Sequence, residues 1–445
     1  MIGRALRPAG IGLVFLLLAA ARPAAAVAFP DTVFANAFEP CSGLECAQVA
    51  CPGGRTTAVS GTVYMPNGTL PLPNVEVYVP NAPVGALPPS PQHLRCEQAP
   101  AGDPLVATLS GADGRFTLYN VPIGANVPLV LLAGKWRRQV TIPNVAACTE
   151  TPLNASLTRL PRNAGEGDLP RIAIATGAAD SLECLLRKSG VDDSEFGISG
   201  GNQRIHMFKA TGVGQFDAAH GGAVFPAATT LWSSDVALSN YDQVLLACEG
   251  GQNESTKPMA ARNALRTYLY GGGRVYLGHF QNFWLQAGPA PLNILGTWNL
   301  ALPPLGALTV DVDVGSAQGA MFSAWLSVSE ATTTANTLDL LDARQTLIST
   351  NEALARTRLY KTLTANGLPS VQYFSAATPI GAPPSDQQGR LAFADTHPGS
   401  GDSSSAGSGF PSGGCLSPQT SLTPQDKALL YAVFDLERCL DSDGD

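Results

Sequence analysis

The hydrophobic pattern of this chain changes near Leu169, and that change limits the folds the chain can adopt. Before it, short segments such as "NVEVYV" (74–79) alternate apolar and polar residues, and turns such as Ala112-Asp113-Gly114 separate them. Short alternating strands joined by turns are typical of an antiparallel β-sandwich. We therefore predict a β-sandwich in the first half of the chain.

After Leu169 the strands become continuously apolar and alternate with helical segments. Arg171 to Ala175 and "YDQVLLACEGG" (241–251) have the composition of strands that are buried on both faces. "KPMAARNALRTYLYGGG" (257–273) is an amphipathic helix that ends in glycine, and "RVYLGHF" (274–280) is the next strand. Strand, helix and strand with short connections imply a parallel sheet. The pattern in this half of the chain predicts an α/β domain with a mainly parallel sheet.

The beginning of the chain has the pattern of a secretory signal peptide. Arg4 and Arg7 precede an apolar run from Gly10 to Ala21, and small residues that suit cleavage follow it. No later apolar stretch approaches the roughly 20 residues that a membrane helix needs. We expect an exported mature chain without a transmembrane segment, located in the periplasm, on the outer surface or in the medium.

Together these patterns divide the chain into consecutive segments. We predict a signal peptide (1–28), a cysteine-containing segment (29–56), the sandwich (57–160), a linker (161–168), the α/β domain (169–440), a flexible Gly/Ser loop within it (399–414), and an acidic tail (441–445). The α/β domain ends in a helix whose N-cap is Thr423. We expect this domain to form its own hydrophobic core and to fold without the sandwich.

The charge balance excludes one class of partner. The net charge is −8 and only 14% of the residues are charged. Nucleic-acid binding needs clustered Lys and Arg, so we expect no nucleic-acid partner. One basic cluster, Lys135 to Arg138, surrounds a tryptophan. It suits either an acidic polymer or a hairpin tip with cation–π packing.

Nine cysteines fit an oxidising compartment. We predict a disulfide between Cys415 and Cys439, and another between Cys184 and Cys248. The partners of the remaining cysteines stay open, because spacing alone does not fix connectivity. They are Cys41, Cys46, Cys51, Cys96 and Cys148. The odd total leaves one thiol unpaired or paired with another chain.

Residues 57–145 resemble the carboxypeptidase regulatory-like domain. The segment "SGTVYMPNGTLPLPNVEVYV" is followed by a hairpin with Asp113, Gly114 and Phe116, and then by "VPIG" (121–124). The resemblance implies a seven-stranded prealbumin-like sandwich. That module is not the peptidase, and no histidine here has the glutamate three residues later that a zinc carboxypeptidase requires.

The second half resembles the flavodoxin-like folds of class I glutamine amidotransferase-like proteins and the related trehalose-utilisation group. The residues that carry this resemblance are "YDQVLLACEGG … ALRTYLYGGGRVYLGHF". Nearly the whole chain after the signal peptide is similar to a family of predicted secreted bacterial proteins of unknown function. These proteins join the two domains and end like "GRLAFADTHPG … FPSGGC … LTPQDKALLYAVFDLERCL".

In the amidotransferase-like folds a nucleophile follows one strand and a basic histidine follows a later one. His397 has the position of that base. The turn "LGHFQ" (277–281), where the nucleophile would stand, has neither Cys nor Ser, and Cys248 ends the neighbouring strand. The resemblance therefore does not predict acyl transfer in this chain.

Several polar residues follow predicted parallel strands and should share one edge of the sheet. We consider two interpretations of them. In the first they hold a divalent metal such as zinc, with a position left open for water. The family that this chain resembles often has a second histidine at the position of Gln281, and its replacement weakens this interpretation. In the second, the two histidines only hydrogen-bond loop backbone, which is our expectation. Ring nitrogens within about 5 Å, with Asp395 adjacent, would favour the metal. The residues are His279, His397, Asp395, Glu249 and Asp180.

The sequence thus favours an exported, non-catalytic binding or structural protein of the cell envelope or extracellular space, without a cofactor. Its partner would be an extracellular carbohydrate or protein. The alternative is a metal-assisted hydrolase of amide or glycan-type bonds that uses His279, His397 and Asp395 as catalytic residues.

Overall fold

A computed structural model describes residues 41–88, 96, 98–399, 409–411, 415 and 422–440. The described residues from Gly43 onward belong to one compact unit. The predicted signal peptide, most of the Gly/Ser loop and the acidic tail lie outside the described residues. Among the described residues, no helix has both the length and the apolar character needed to cross a membrane.

Two small sheets are built from strands in the first half of the chain. These strands are β1 (Ala58–Thr62), β2 (Glu76–Pro80), β3 (Pro104–Leu109), β4 (Arg115–Tyr119), β5 (Gly124–Ala133), β6 (Trp136–Val145) and β7 (Glu150–Pro152). One sheet has the order β4-β1-β7 and the other the order β3-β2-β5-β6. β4 shows the predicted alternation, because Phe116 and Leu118 are buried while Arg115 and Tyr119 are exposed. The observed arrangement is therefore several sheets with one large mixed sheet beside these two.

The rest of the chain forms the large sheet and one short two-stranded sheet. The strands are β8 (Ile172–Thr176), β9 (Phe196–Gly197), β10 (Ile205–Lys209), β11 (Gln243–Leu246), β12 (Arg274–Leu277), β13 (Gly296–Trp298), β14 (Gly306–Val312), β15 (Thr337–Ala343), β16 (Leu347–Thr350), β17 (Arg356–Lys361), β18 (Ser370–Thr378) and β19 (Gly389–Ala394). β13 and β16 pair with each other, and the other ten form the large sheet.

The order of the large sheet is β15-β14-β17-β18-β19-β12-β11-β8-β10-β9. From β9 to β19 neighbouring strands are parallel, and from β19 to β15 they are antiparallel. The central strands β10-β8-β11-β12-β19 have the order 2-1-3-4-5 of flavodoxin-like sheets. In such sheets ligands bind beyond the carboxyl ends of the strands, where the order reverses.

The helices confirm the predicted alternation of strand and helix. They are α1 (Ala155–Thr158), α2 (Leu182–Lys188), α3 (Ala228–Leu231), α4 (Asp235–Leu238), α5 (Met259–Tyr270), α6 (Phe283–Gln286), α7 (Ala317–Val328) and α8 (Pro424–Asp435). The α8 helix begins as predicted, because the Thr423 side chain accepts from the backbone N–H of Asp426, and Asp426 returns the bond in a capping box.

One hydrophobic cluster spans the small sheets and part of the α/β region, and a second cluster lies within the α/β region alone. Trp136 at the start of β6 lies against Phe434 on α8, with ring centroids 5.3 Å apart. The indole N–H of Trp325 on α7 donates to the backbone oxygen of Pro71 at 2.7 Å. Side chains from both predicted domains therefore pack between them. The boundaries of the two domains stay predictions.

The disulfide pattern corrects two predictions. Cys184 pairs with Cys415, and Cys439 pairs with Cys96, so the predicted bonds Cys415–Cys439 and Cys184–Cys248 are wrong. Residues at the end of α8 face the first half of the chain, which brings Cys439 to Cys96. A third disulfide joins Cys51 and Cys148.

Candidate metal centre

Three buried side chains with metal-ligating atoms converge at the carboxyl edge of the parallel strands. Cys248 follows β11, His279 follows β12 and His397 follows β19. The sulfur of Cys248 and one nitrogen of each imidazole lie within 4.8 Å of one another. These residues are only 0%, 4% and 4% exposed, respectively. Adjacent parallel strands deliver the residues that follow them to the same place.

Two glycines allow the backbone around this group to approach closely. A Cβ on Gly278 would lie 2.5 Å from Oδ2 of Asp180, and one on Gly177 would lie 2.1 Å from the backbone oxygen of Cys248. Glycine is thus required at both positions, because any side chain would push these groups apart.

The His279 imidazole is held between two polar neighbours. Its Nδ1 lies 3.9 Å from Sγ of Cys248. Its Nε2 lies 2.6 Å from the Thr346 hydroxyl and 3.6 Å from Oδ1 of Asp395. Burial lowers the pKa of His279 to about 3, and the nearby His397 and Arg344 act in the same direction. The ring is therefore neutral at pH 7, as a metal ligand must be.

The His397 imidazole is fixed by a carboxylate. Its Nδ1 lies 2.6 Å from Oδ1 of Asp180, and its ring stands edge-on to that of His279 with centroids 5.1 Å apart. Burial alone would lower the pKa of His397, but the charge and hydrogen bond of Asp180 raise it above its usual value. Because Asp180 occupies Nδ1, Nε2 is the nitrogen left for a ligand.

Asp395 lies behind His279 rather than among the three converging atoms. Its Oδ2 accepts from the backbone N–H groups of Thr346 and Leu347 at 2.7 and 2.9 Å. Its Oδ1 has no hydrogen-bond partner among the described residues. Burial raises the pKa of Asp395 to about 7. This carboxyl group is placed to orient the His279 ring.

Glu249, another predicted ligand, is occupied by other partners. Its Oε1 is 2.7 Å from the Lys257 ammonium and accepts from Gln281 at 3.0 Å, and its Oε2 accepts from Asn253 at 2.9 Å. Gln281 also accepts a bond from the Trp284 indole at 2.8 Å. Glu249 and Gln281 therefore brace the loops after β11 and β12.

Comparison with known proteins identifies no family. No family model matches the chain, and no curated protein matches it.

Solved structures give distant likenesses. A protein described as ThuA-like from Bacteroides uniformis is 10% identical, with 60% of this chain and 91% of that chain covered at a TM-score of 0.31. A cytoplasmic protein of Salmonella typhimurium is 12% identical, with 59% and 98% covered at a TM-score of 0.30. A type II cohesin–X-dockerin complex from Acetivibrio cellulolyticus is 17% identical, with 33% and 78% covered at a TM-score of 0.16. The site must therefore be interpreted from its own chemistry.

Cys248 is the member of the converging group that sequence reasoning misplaced. It is a free, buried thiol rather than a disulfide partner of Cys184. Burial, and then the charge of Asp180, raises the pKa of the Cys248 thiol above its usual range. The signal that could have identified it was present, because Cys248 follows a buried parallel strand just as His279 does.

The two histidines are held by side chains, not by the loop backbone that we expected. Thr346 and Asp180 supply those contacts, at 2.6 Å in each case. The convergence within 4.8 Å and the neighbouring Asp395 also meet the distance condition for a metal site.

Proposed function

We propose that the protein is an exported metal-binding protein in which Cys248, His279 and His397 hold one divalent cation, Zn²⁺ or a similar ion. The observation that carries this proposal is the convergence of their three ligand atoms within 4.8 Å. Zn–N and Zn–S bonds of about 2.0–2.3 Å in a tetrahedron place ligand atoms roughly 3.3–3.8 Å apart. Side-chain movements of about an ångström would close the site.

The contacts behind the imidazoles support the same proposal. Metal-bound histidines usually donate their second ring N–H to a carboxylate or another acceptor, which fixes the ring. Asp180 is placed in this way for His397, and Thr346 with Asp395 for His279. Each ring therefore presents one nitrogen to the ion while the other is held by the protein.

The thiol requires the ion in order to ionise. Burial raises the pKa of Cys248, so without metal the sulfur keeps its proton at neutral pH. Coordination would displace that proton, and metal affinity should therefore fall as pH falls.

Burial favours a non-catalytic role for the ion. The three ligand residues are nearly inaccessible, which would leave a substrate little access to the ion. The α/β part would then be a scaffold descended from an enzyme fold.

We further propose that the two small sheets are the carboxypeptidase regulatory-like sandwich, and that the chain belongs with the secreted family it resembles. We propose that its partner is an extracellular carbohydrate or protein. The disulfides of the chain are compatible with an extracellular location.

A second candidate is a metal-assisted hydrolase of amide or glycan-type bonds. The observation that favours it is the number of protein ligands, because three of them leave a fourth position for water. Asp395, whose Oδ1 lies 3.6 Å from Nε2 of His279, would then act only through that ring, by orienting and polarising it.

Metal content tests the proposal. The purified mature protein, loaded with Zn²⁺ and dialysed, should retain about one ion per chain by mass spectrometry. Cys248→Ser, His279→Gln and His397→Gln should each lower the affinity tenfold or more. His220→Gln is the matched control, because that half-exposed ring contacts Asp217 outside the site. Retention of no ion by the wild-type protein, or equal loss in the control, would overturn the proposal.

The hydrolase candidate needs a separate measurement. The Zn²⁺-loaded protein is incubated with chromogenic amide and glycoside substrates, with and without a chelator. Turnover that disappears with the chelator and in Cys248→Ser supports hydrolysis. A bound ion without turnover supports the non-catalytic role.

A further inference from the structure

We propose that a cavity at the opposite edge of the large sheet binds a small hydroxylated ligand that carries a carboxylate or another oxyanion. The cavity has a volume of about 400 Å³ and lies between the β5–β6 turn and the amino-terminal ends of β8, β10 and β11. It is separate from the Cys248 group, so this proposal does not depend on the metal.

The strand order places two arginines side by side in its wall. Arg171 immediately precedes β8, and Arg204 immediately precedes β10. These strands are parallel neighbours, with Ile205 opposite Ile172 in register. Neighbouring strands lie about 4.8 Å apart, so the two arginines begin at adjacent positions, and both line the cavity.

The carboxylates of the wall already have partners. Asp242 lies 2.6 Å from the ammonium of Lys135. Asp168 lies 2.9 and 2.8 Å from the Nε and Nη2 atoms of Arg137. Neither carboxylate is therefore needed to neutralise Arg171 or Arg204.

The guanidinium groups of Arg171 and Arg204 have no hydrogen-bond or ion-pair partner within the described part of the chain. Both residues are half-buried. Guanidinium keeps its charge at all accessible pH values and binds oxyanions through two parallel hydrogen bonds. Two such groups in one cavity create a local positive field in a protein whose net charge is −8. An oxyanion would relieve their repulsion.

The remaining wall indicates the kind of molecule that carries the oxyanion. Ser239 and Asn240 offer hydroxyl and amide groups, and Leu87 and Leu169 offer apolar surface. Small-molecule sites have volumes from about 300 Å³ upward, which admits one sugar-sized ring. The combination fits a sugar acid, either free or as one residue of an acidic glycan.

Calorimetric titration of the full mature protein at low salt tests this site. The probes are glucuronate, inorganic phosphate, neutral glucose and a short oligogalacturonate. Glucuronate and phosphate should bind to the wild-type protein, and glucose should not. Arg171→Gln and Arg204→Gln should each weaken glucuronate binding roughly tenfold or more, as expected for a charge-assisted bond. The melting temperature of each variant without ligand verifies that it folds.

Arg115→Gln is the matched control, because that side chain is 80% exposed and lies 3.6 Å from the turn residue Asp113, away from the cavity. It should bind glucuronate like the wild-type protein. Tighter binding of the oligogalacturonate supports an acidic glycan, and equal binding supports a free acid. The proposal is overturned if neither glucuronate nor phosphate binds, or if all three arginine variants weaken binding equally.

Discussion

The Asp180 carboxylate connects His397 to the backbone of Cys248. Its Oδ1 lies 2.6 Å from Nδ1 of His397, and its Oδ2 accepts from the backbone N–H of Cys248 at 2.8 Å. One side chain from the loop after β8 therefore positions two of the three proposed ligands, although it is not itself a ligand.

Asp180→Asn should weaken zinc binding by about 10–100-fold, because an amide can neither accept as strongly from His397 nor supply the negative charge that supports it. Competition with a chromogenic chelator measures the affinity. Asp235→Asn, at the start of α4 and outside the site, should bind zinc like the wild-type protein. Unchanged affinity in Asp180→Asn would show that His397 does not need this partner.

Glu437 should make stability depend on pH. Burial raises the pKa of Glu437 to about 7 from 4.5, although Arg274 acts in the opposite direction. The folded state thus favours the protonated form, and the stability gained below pH 4.5 is lost as pH rises through 7. Glu437→Gln mimics that form. It should match the wild-type protein near pH 4.5 and be more stable at pH 8, by up to about 3 kcal/mol.

Urea unfolding at pH 4.5, 6 and 8 measures this difference. A gap between Glu437→Gln and the wild-type protein that stays constant with pH would mean that the carboxyl group is not held protonated. Glu150→Gln, on an exposed position of β7, serves as the control.

Trp136→Ala should destabilise the whole compact unit. The indole is 2% exposed and lies against Phe434, so its removal leaves a cavity that costs about 3–5 kcal/mol. Because the small sheets and the α/β part share one cluster, calorimetry should show a single transition at a lower temperature. Two transitions, with only one shifted, would instead support independent domains.

Peptide mapping without reduction should find Cys96 joined to Cys439, Cys184 joined to Cys415, and Cys248 as a thiol. Replacing Cys96 and Cys439 together by Ala should lower the free energy of unfolding by about 2–5 kcal/mol, because the unfolded chain is no longer cross-linked. A Cys184–Cys248 peptide would contradict the metal centre as well as the pairing.

Local patterns predicted much of the fold. The continuous apolar runs of β8, β11, β12 and β19 and the capped α8 helix were visible in the sequence, because burial on both faces and N-capping depend on nearby residues. The antiparallel strands β14 and β15 were not predicted. Buried and exposed residues alternate along both strands, so neither has the continuous apolar run of the central strands. They also pair with each other in a part of the chain where sequence reasoning placed no strands.

The site was predicted only in part. Position after a parallel strand placed His279 and His397 at one edge, but distances between them depend on strand order, which is a long-range property. The order puts β11 beside β12, which brings Cys248 to His279. Pairing of Cys184 with Cys415 depends equally on where distant segments meet. Thr346 follows no predicted element, so no sequence signal indicated its contact with His279.

The disulfide between Cys96 and Cys439 joins two cysteines that become available at very different times during biosynthesis. When Cys148 is made, both Cys51 and Cys96 are available to it, and only Cys51 is its native partner. Cys96 must then stay unpaired until Cys439, 343 residues later, has also reached the oxidising compartment. An oxidant alone would join cysteines in the order in which they emerge. The yield of native protein should therefore depend on an isomerase that reshuffles early bonds through mixed disulfides.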